Sequence, residues 1–141
     1  RARETFAVLQ DEQTAFFVIA TPEPAALREA SYFVERLAVD GMPLAGVVVN
    51  RVHDSRQELI SVAQAEAASS RLASGTAQEQ AVGELLDVYA ERLAVALKEN
   101  RLRERFTSAH QDVRVAAIAA LAGDVHDIDG LREVGASLAH R

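Results

Sequence analysis

The sequence predicts an α/β fold with a mostly parallel sheet and a helical insertion, and three observations carry that expectation. The run Pro43 to Val52, PLAGVVVNRV, places β-branched Val47, Val48 and Val49 on both faces of an extended segment, the mark of a strand buried inside a parallel sheet. A second apolar run, Thr14 to Ala20, TAFFVIA, precedes it, and the residues between have helical spacing, so strand, helix and strand form a parallel βαβ crossover. Beyond Asp54 a long helical stretch, about 55–108, intervenes before a last apolar run, Val113 to Leu121.

Composition narrows the function classes. At 141 residues the chain is one domain by size, with a net charge of −6 and no basic stripe, so nucleic acid is not an expected partner. No stretch approaches the roughly 18 apolar residues of a membrane span. The chain has no cysteine, hence no disulfide framework or thiolate nucleophile, which fits a cytoplasmic location. The amino end does not read as a signal peptide. It opens on Arg1 in helical spacing, with Ala2, Phe6 and Leu9 on one face, as expected of the carboxyl part of something longer.

Taken in order, the charged Asp11 to Gln13 ends that lead-in, and the buried strand Thr14 to Ala20 follows. Thr21 to Pro24 stops the strand, and Pro24 suits the first turn of a helix because its missing N–H is not needed there. The helix runs to about Asp40 with Leu27, Ala30, Val34 and Leu37 inward, and Gly41 ends it. After the central strand, Arg56 to about Ser70 reads as a weakly amphipathic helix through Leu59, Ile60, Ala63 and Ala67. Ser69 to Gln80, polar and containing Gly75, reads as a mobile exposed turn. Thr76 and Glu79 then form a capping box opening a helix whose stripe is Val82, Leu85, Leu86, Tyr89, Leu93, Ala96 and Leu97, continuing towards Phe106. The last strand leads through AGDVHDIDG into a short helix from Leu131 to Leu138.

Asn50 and Arg51 stand at the carboxyl end of the central strand, the end where ligands bind in open α/β sheets. The Asn amide offers an acceptor and a donor side by side, matching the N6 and N7 edge of adenine, and it equally suits capping a turn. Ala122, Gly123 and Asp124 follow the last strand at the same sheet edge. His126 with Asp124, Asp127 and Asp129 is a polar cluster to test as a cation site, against helix capping as the alternative. The only lysine, Lys98, has no glycine near it, so these residues hold no phosphate loop. No serine has a nucleophile-elbow setting and no carboxylate pair is placed for acid–base work, so no catalytic residue is expected and the chain alone should be inactive.

The segment TAFFVIATPEPAALREASYFVERLAVDGMPLAGVVVNRV resembles the late strand, helix and strand of the deviant-Walker P-loop ATPases, which include the MinD and ParA partition proteins and the arsenite-pump ATPases. The long helical stretch and the ending LAGDVHDIDGLREVGASL are similar to the ArsA family of anion-transporting ATPases and its relatives that deliver tail-anchored membrane proteins. That resemblance covers nearly the whole chain. It implies the C-terminal half of a doubly wound, mostly parallel sheet of P-loop NTPase type, with the phosphate-loop half upstream. It further implies that Asn50 reads adenine beside Arg51, and that Ala120, Leu121, Ala122, Gly123 and Asp124 close over the base. ATP with Mg2+ would be hydrolysed only by the full-length protein, as a homo- or heterodimer with a related ATPase and with a membrane-protein client.

The sequence departs from the family at several points. Ala119 stands where a proline usually shortens the last loop, and the zinc-binding Cys-x-x-Cys and arsenite-sensing cysteines are absent. Two rivals remain. One is a non-catalytic α/β interaction module using the helix from Gln78 to Phe106, and the other is a partition-type ATPase fragment.

Overall fold

The amino acids of the chain's centre dictate a strand that must be paired on both sides, and the computed structural model shows that pairing. It describes residues 2–53, 59–121 and 123–139. Helix α1 (Ala2–Leu9) leads to β1 (Phe16–Ala20), α2 (Pro24–Val39), β2 (Leu44–Val52), α3 (Val62–Leu72), α4 (Ala77–Ala109), β3 (Val115–Ala119) and α5 (Ile128–Ala139). The three strands form one parallel sheet in the order β1-β2-β3, so the fold is α/β. By contacts the chain divides into two units, Arg1–Val52 with Arg101–Arg141, and His53–Asn100.

The first unit is built around β2. Val47 and Val49 are fully buried, paired to Val18 and Ala20 on one side and to Val115 and Ala117 on the other. Side chains alternate along a strand, so these residues share one face, against which Leu27, Ala30 and Val34 of α2 and Phe106 of α4 pack. Burying each of the Val, Leu and Phe side chains contributes about 1.5 to 3 kcal/mol. Gly46 is required for a reason its apolar neighbours do not reveal. A Cβ there would meet the Arg114 carbonyl oxygen at 2.9 Å, and the same oxygen accepts the Val47 N–H at 2.8 Å. Helix α2 begins with Pro24 at its first turn and ends before Gly41, whose φ of 65° is the left-handed region that glycine favours. The end of α4 is tied to α2 by His110, whose Nε2 lies 2.9 Å from Ser31 Oγ and whose ring tilts against Phe106.

Several expectations need correction. The first strand starts at Phe16 rather than Thr14 and is not buried on both faces: Phe17 is 63% and Ile19 69% exposed. The alternate face of β1, an edge strand, has no helix over it among the described residues, whereas parallel sheets usually have both faces covered. The last strand is Val115–Ala119, shorter at both ends than Val113 to Leu121, and α5 begins at Ile128, three residues before Leu131.

In the second unit α3 begins at Val62, not Arg56, because Ser61 and Gln64 form a capping box: Ser61 Oγ accepts the Gln64 N–H and Gln64 Oε1 accepts the Ser61 N–H at 2.9 Å. Residues 56–58 of the expected helix lie outside the described residues, and Leu59 is outside α3 and largely exposed. The Tyr89 hydroxyl holds this entry, accepting the Leu59 N–H at 3.1 Å and donating to the Ile60 carbonyl at 3.0 Å. The expected turn from Ser69 to Gln80 shrinks to the residues between α3 and α4, with Ser69 itself buried. Along α4 the inward residues are Gly83, Leu86, Ala90, Leu93 and Ala96, while Val82 and Leu85 of the expected stripe face outward. The Thr76–Glu79 box is formed, with Glu79 Oε2 accepting the Thr76 N–H at 2.6 Å and the Thr76 hydroxyl at 2.9 Å.

Two outcomes are expected from this packing. Val49→Ala should lower unfolding free energy in urea by about 2 to 3 kcal/mol, from lost burial plus the cavity left behind, and Gly46→Ala should destabilise by forcing β3 away. The Thr76 backbone N–H, and then its hydroxyl, hold the Glu79 carboxyl below the usual carboxylate range. A depressed folded pKa gives stabilisation that is present at neutral pH and lost as pH falls through that pKa. The Thr76 amide resonance should therefore move on acidification in the wild type and stay put in Glu79→Gln.

Candidate functional site

The carboxyl end of β2 does not run straight. Val49 pairs with Ala117 and Val52 with Ala119, so Asn50 and Arg51 stand opposite Ile118 alone, a β-bulge. Arg51 has φ 61°, the left-handed region, which costs a non-glycine residue about 1 kcal/mol or more. Asn50 supports the turn by accepting the Arg51 N–H on Oδ1 at 2.9 Å. Pairing resumes where the Val52 carbonyl accepts the Ala120 N–H at 2.9 Å. Asn50 thus serves its own turn, as its side chain also suits.

That role leaves most of the amide's capacity unspent. Oδ1 has a second lone pair, and no described residue accepts a hydrogen bond from Nδ2. Among the described residues no side-chain nitrogen or oxygen is both buried and unpartnered, so Nδ2 is not trapped in the interior. Asn50 lines a cleft of about 550 Å³ at the carboxyl ends of β2 and β3.

The cleft gathers residues from two distant stretches of chain. Asn50, Arg51, Ala120, Leu121, Gly123 and Asp124 all line it, and Ala122 lies outside the described residues. Ala120, Leu121, Gly123 and Asp124 line the cleft with the bulge, which Arg51 Nη2 links to Asp124 Oδ1 at 3.4 Å. Both groups are largely exposed, and a long exposed pair contributes between nothing and about 1 kcal/mol. It closes the rim without locking it. Sequence reasoning missed the apolar side of the cleft, Ile118, Val125 and Val134. Val134 was findable in principle, because it follows Leu131 by three residues on a helix face.

The proposed cation cluster dissolves into local structure. Asp127 Oδ1 accepts the Gly130 N–H at 2.8 Å as a cap of α5, Asp129 pairs with Arg132 at 2.7 Å, and Asp124 with Arg51. Among the described residues no group of three or more His, Cys, Asp or Glu could hold a metal ion. A second cleft of about 560 Å³, near the amino ends of β2 and β3, is lined by Val34, Ala38, Met42, Leu44 and Val113 with Asp112 and Arg114. Size does not separate the two. Chemistry does, since only the first brings a free amide and loop backbone groups to an apolar wall at the strands' carboxyl ends.

The class defined by these observations is an α/β parallel-sheet protein with a polar-and-apolar cleft at its carboxyl edge. No protein-family model matches the chain, and no curated protein matches it either. No helix among the described residues is long and apolar enough to cross a membrane.

The left-handed Arg51 yields a measurable expectation. Arg51→Gly should leave stability unchanged or raise it by up to about 1 kcal/mol, because relief of strain outweighs glycine's greater unfolded-state entropy. Arg51→Val, β-branched at positive φ, should lose more than about 1 kcal/mol. Urea denaturation of both variants checks the sign.

Proposed function

We propose that this chain is the adenine-recognising C-terminal part of an ArsA-like ATPase, in which its sheet is one part of a larger doubly wound sheet of P-loop NTPase type. The observation that carries the reading is the cleft between the Asn50–Arg51 bulge and the loop of Ala120 to Asp124. A purine needs a flat apolar contact and a donor–acceptor pair at its edge. Ile118, Val125 and Val134 offer the first, and the Asn50 amide offers the second. In this reading Asn50 Nδ2 donates to N7, the remaining Oδ1 lone pair accepts from the N6 amino group, and loop backbone groups close over the ring.

The uncovered face of β1 also supports membership of a larger assembly, because Phe17 and Ile19 would be covered there. In this reading phosphate and Mg2+ binding belong to an upstream phosphate-loop half of the protein. That half would supply the chemistry of water attack on the γ-phosphate when nucleotide is bound. The residues in hand bind and orient the base. Dimerisation with a related ATPase, a membrane-protein client and a cytoplasmic setting belong to the same proposal.

A second reading, an interaction module without chemistry, draws on the outward apolar residues of α4, Leu85 above all. Nucleotide selectivity separates the two. In the protein carrying its phosphate-loop half, Asn50→Ala should weaken ATP by roughly tenfold, the worth of a good base-edge contact, and abolish preference over GTP. An ATP to GTP affinity ratio unchanged from wild type would refute the adenine role.

A further inference from the structure

The second unit presents a surface that its own packing leaves unused. On α4 the outward residues Leu85, Val88, Arg92 and Val95 recur at spacings of three and four, the repeat of a coiled-coil seam. Leu85 is 70% exposed, and Val88 and Val95 are about half exposed. Helix α3 lies on the other side of α4, where a Cβ on Gly83 would come within 3.6 Å of Leu72 and 3.4 Å of the Ser69 carbonyl. Among the described residues of its unit the seam therefore has no occupant.

Charge placement identifies one. Glu84 and Lys98 flank the seam, both exposed, and among the described residues neither forms an ion pair. If a second α4 lies antiparallel, Leu85 meets Val95 and Val88 meets the aliphatic stem of Arg92. The same register brings Glu84 of one copy beside Lys98 of the other, twice, by symmetry. Glu91 would face its own copy across the twofold axis, with the two Arg92 guanidinium groups alongside to offset that repulsion. A parallel pairing would set Arg92 against Arg92 in the seam and place Glu84 opposite Tyr89 and Lys98 opposite Arg103, with no attractive pair, so the charge pattern selects the antiparallel form.

We infer that α4 is a self-association surface, through which two copies of this chain pair antiparallel along Leu85, Val88, Arg92 and Val95 with reciprocal Glu84–Lys98 pairs. The inference is independent of nucleotide binding. The test is sedimentation of the chain as wild type, Glu84→Lys and Lys98→Glu. Each single swap turns two attractive contacts repulsive and should weaken dimerisation by roughly tenfold or more. Mixing the two swapped chains restores both pairs, so the mixture should dimerise as wild type does. Leu85→Glu should abolish association in any combination. A monomeric wild type overturns the inference, as does association unaffected by the single swaps. Association that survives the swaps and is lost in Phe17→Lys would assign self-contact to the open face of β1 instead, and would equally overturn it.

Discussion

The pairing of β2 on both edges is the constraint on which the first unit depends. A strand carrying Val47 and Val49 on one face and Val48 on the other cannot lie at a surface without exposing one set, so it takes the centre of the sheet. Its two neighbours are then fixed in direction by the helices that return the chain, and in register by the valines themselves. Gly46 permits the closest approach of this arrangement, at the Arg114 carbonyl. The site arises where the pairing falters. One residue too many between Val49 and Val52 turns Asn50 out of the ladder, and that irregularity is what gives the sheet's carboxyl edge a side chain to use.

Most of the architecture was legible because its signals are local. The valine run, Pro24 at a helix start, Gly41 at its end and the Thr76–Glu79 box each act through neighbouring residues, and each element lies where those signals put it. The misplacements have equally physical causes. Phe and Ile in TAFFVIA carry the hydrophobicity of a buried strand, but burial depends on what lies over the sheet, and nothing within the run encodes that. Helical spacing in the sequence extends back to Arg56, while in the structure the Ser61–Gln64 box fixes the first turn of α3. On α4, counting every apolar residue into one stripe hid that two faces of the helix are apolar, one against α3 and one outward.

The cleft illustrates the same division. Asn50, Arg51, Gly123 and Asp124 could be named from sequence because polar and small residues after apolar runs mark strand ends. Their juxtaposition across more than seventy residues of chain is a property of the β2–β3 pairing. The apolar wall was not legible. Ile118 alternates with residues of the opposite face, and Val125 and Val134 reach the cleft only through the path of the loop and α5.

Arg51 sharpens what that wall is for. A turn selected only for stability would place glycine where φ is 61°, as this chain does at Gly41 with φ 65°. Keeping an arginine there sustains about 1 kcal/mol of backbone strain, against which its exposed 3.4 Å contact with Asp124 returns little. The contact with Asp124 therefore does not offset the strain. The arginine stands at the rim of the cleft beside an amide with spare hydrogen-bonding capacity, held by a backbone that the β2–β3 ladder resumes immediately beyond. Strain maintained beside a polar group with spare hydrogen-bonding capacity is the arrangement expected where a ligand supplies further partners, and no described residue of positive φ lines the second cleft at the other end of the strands.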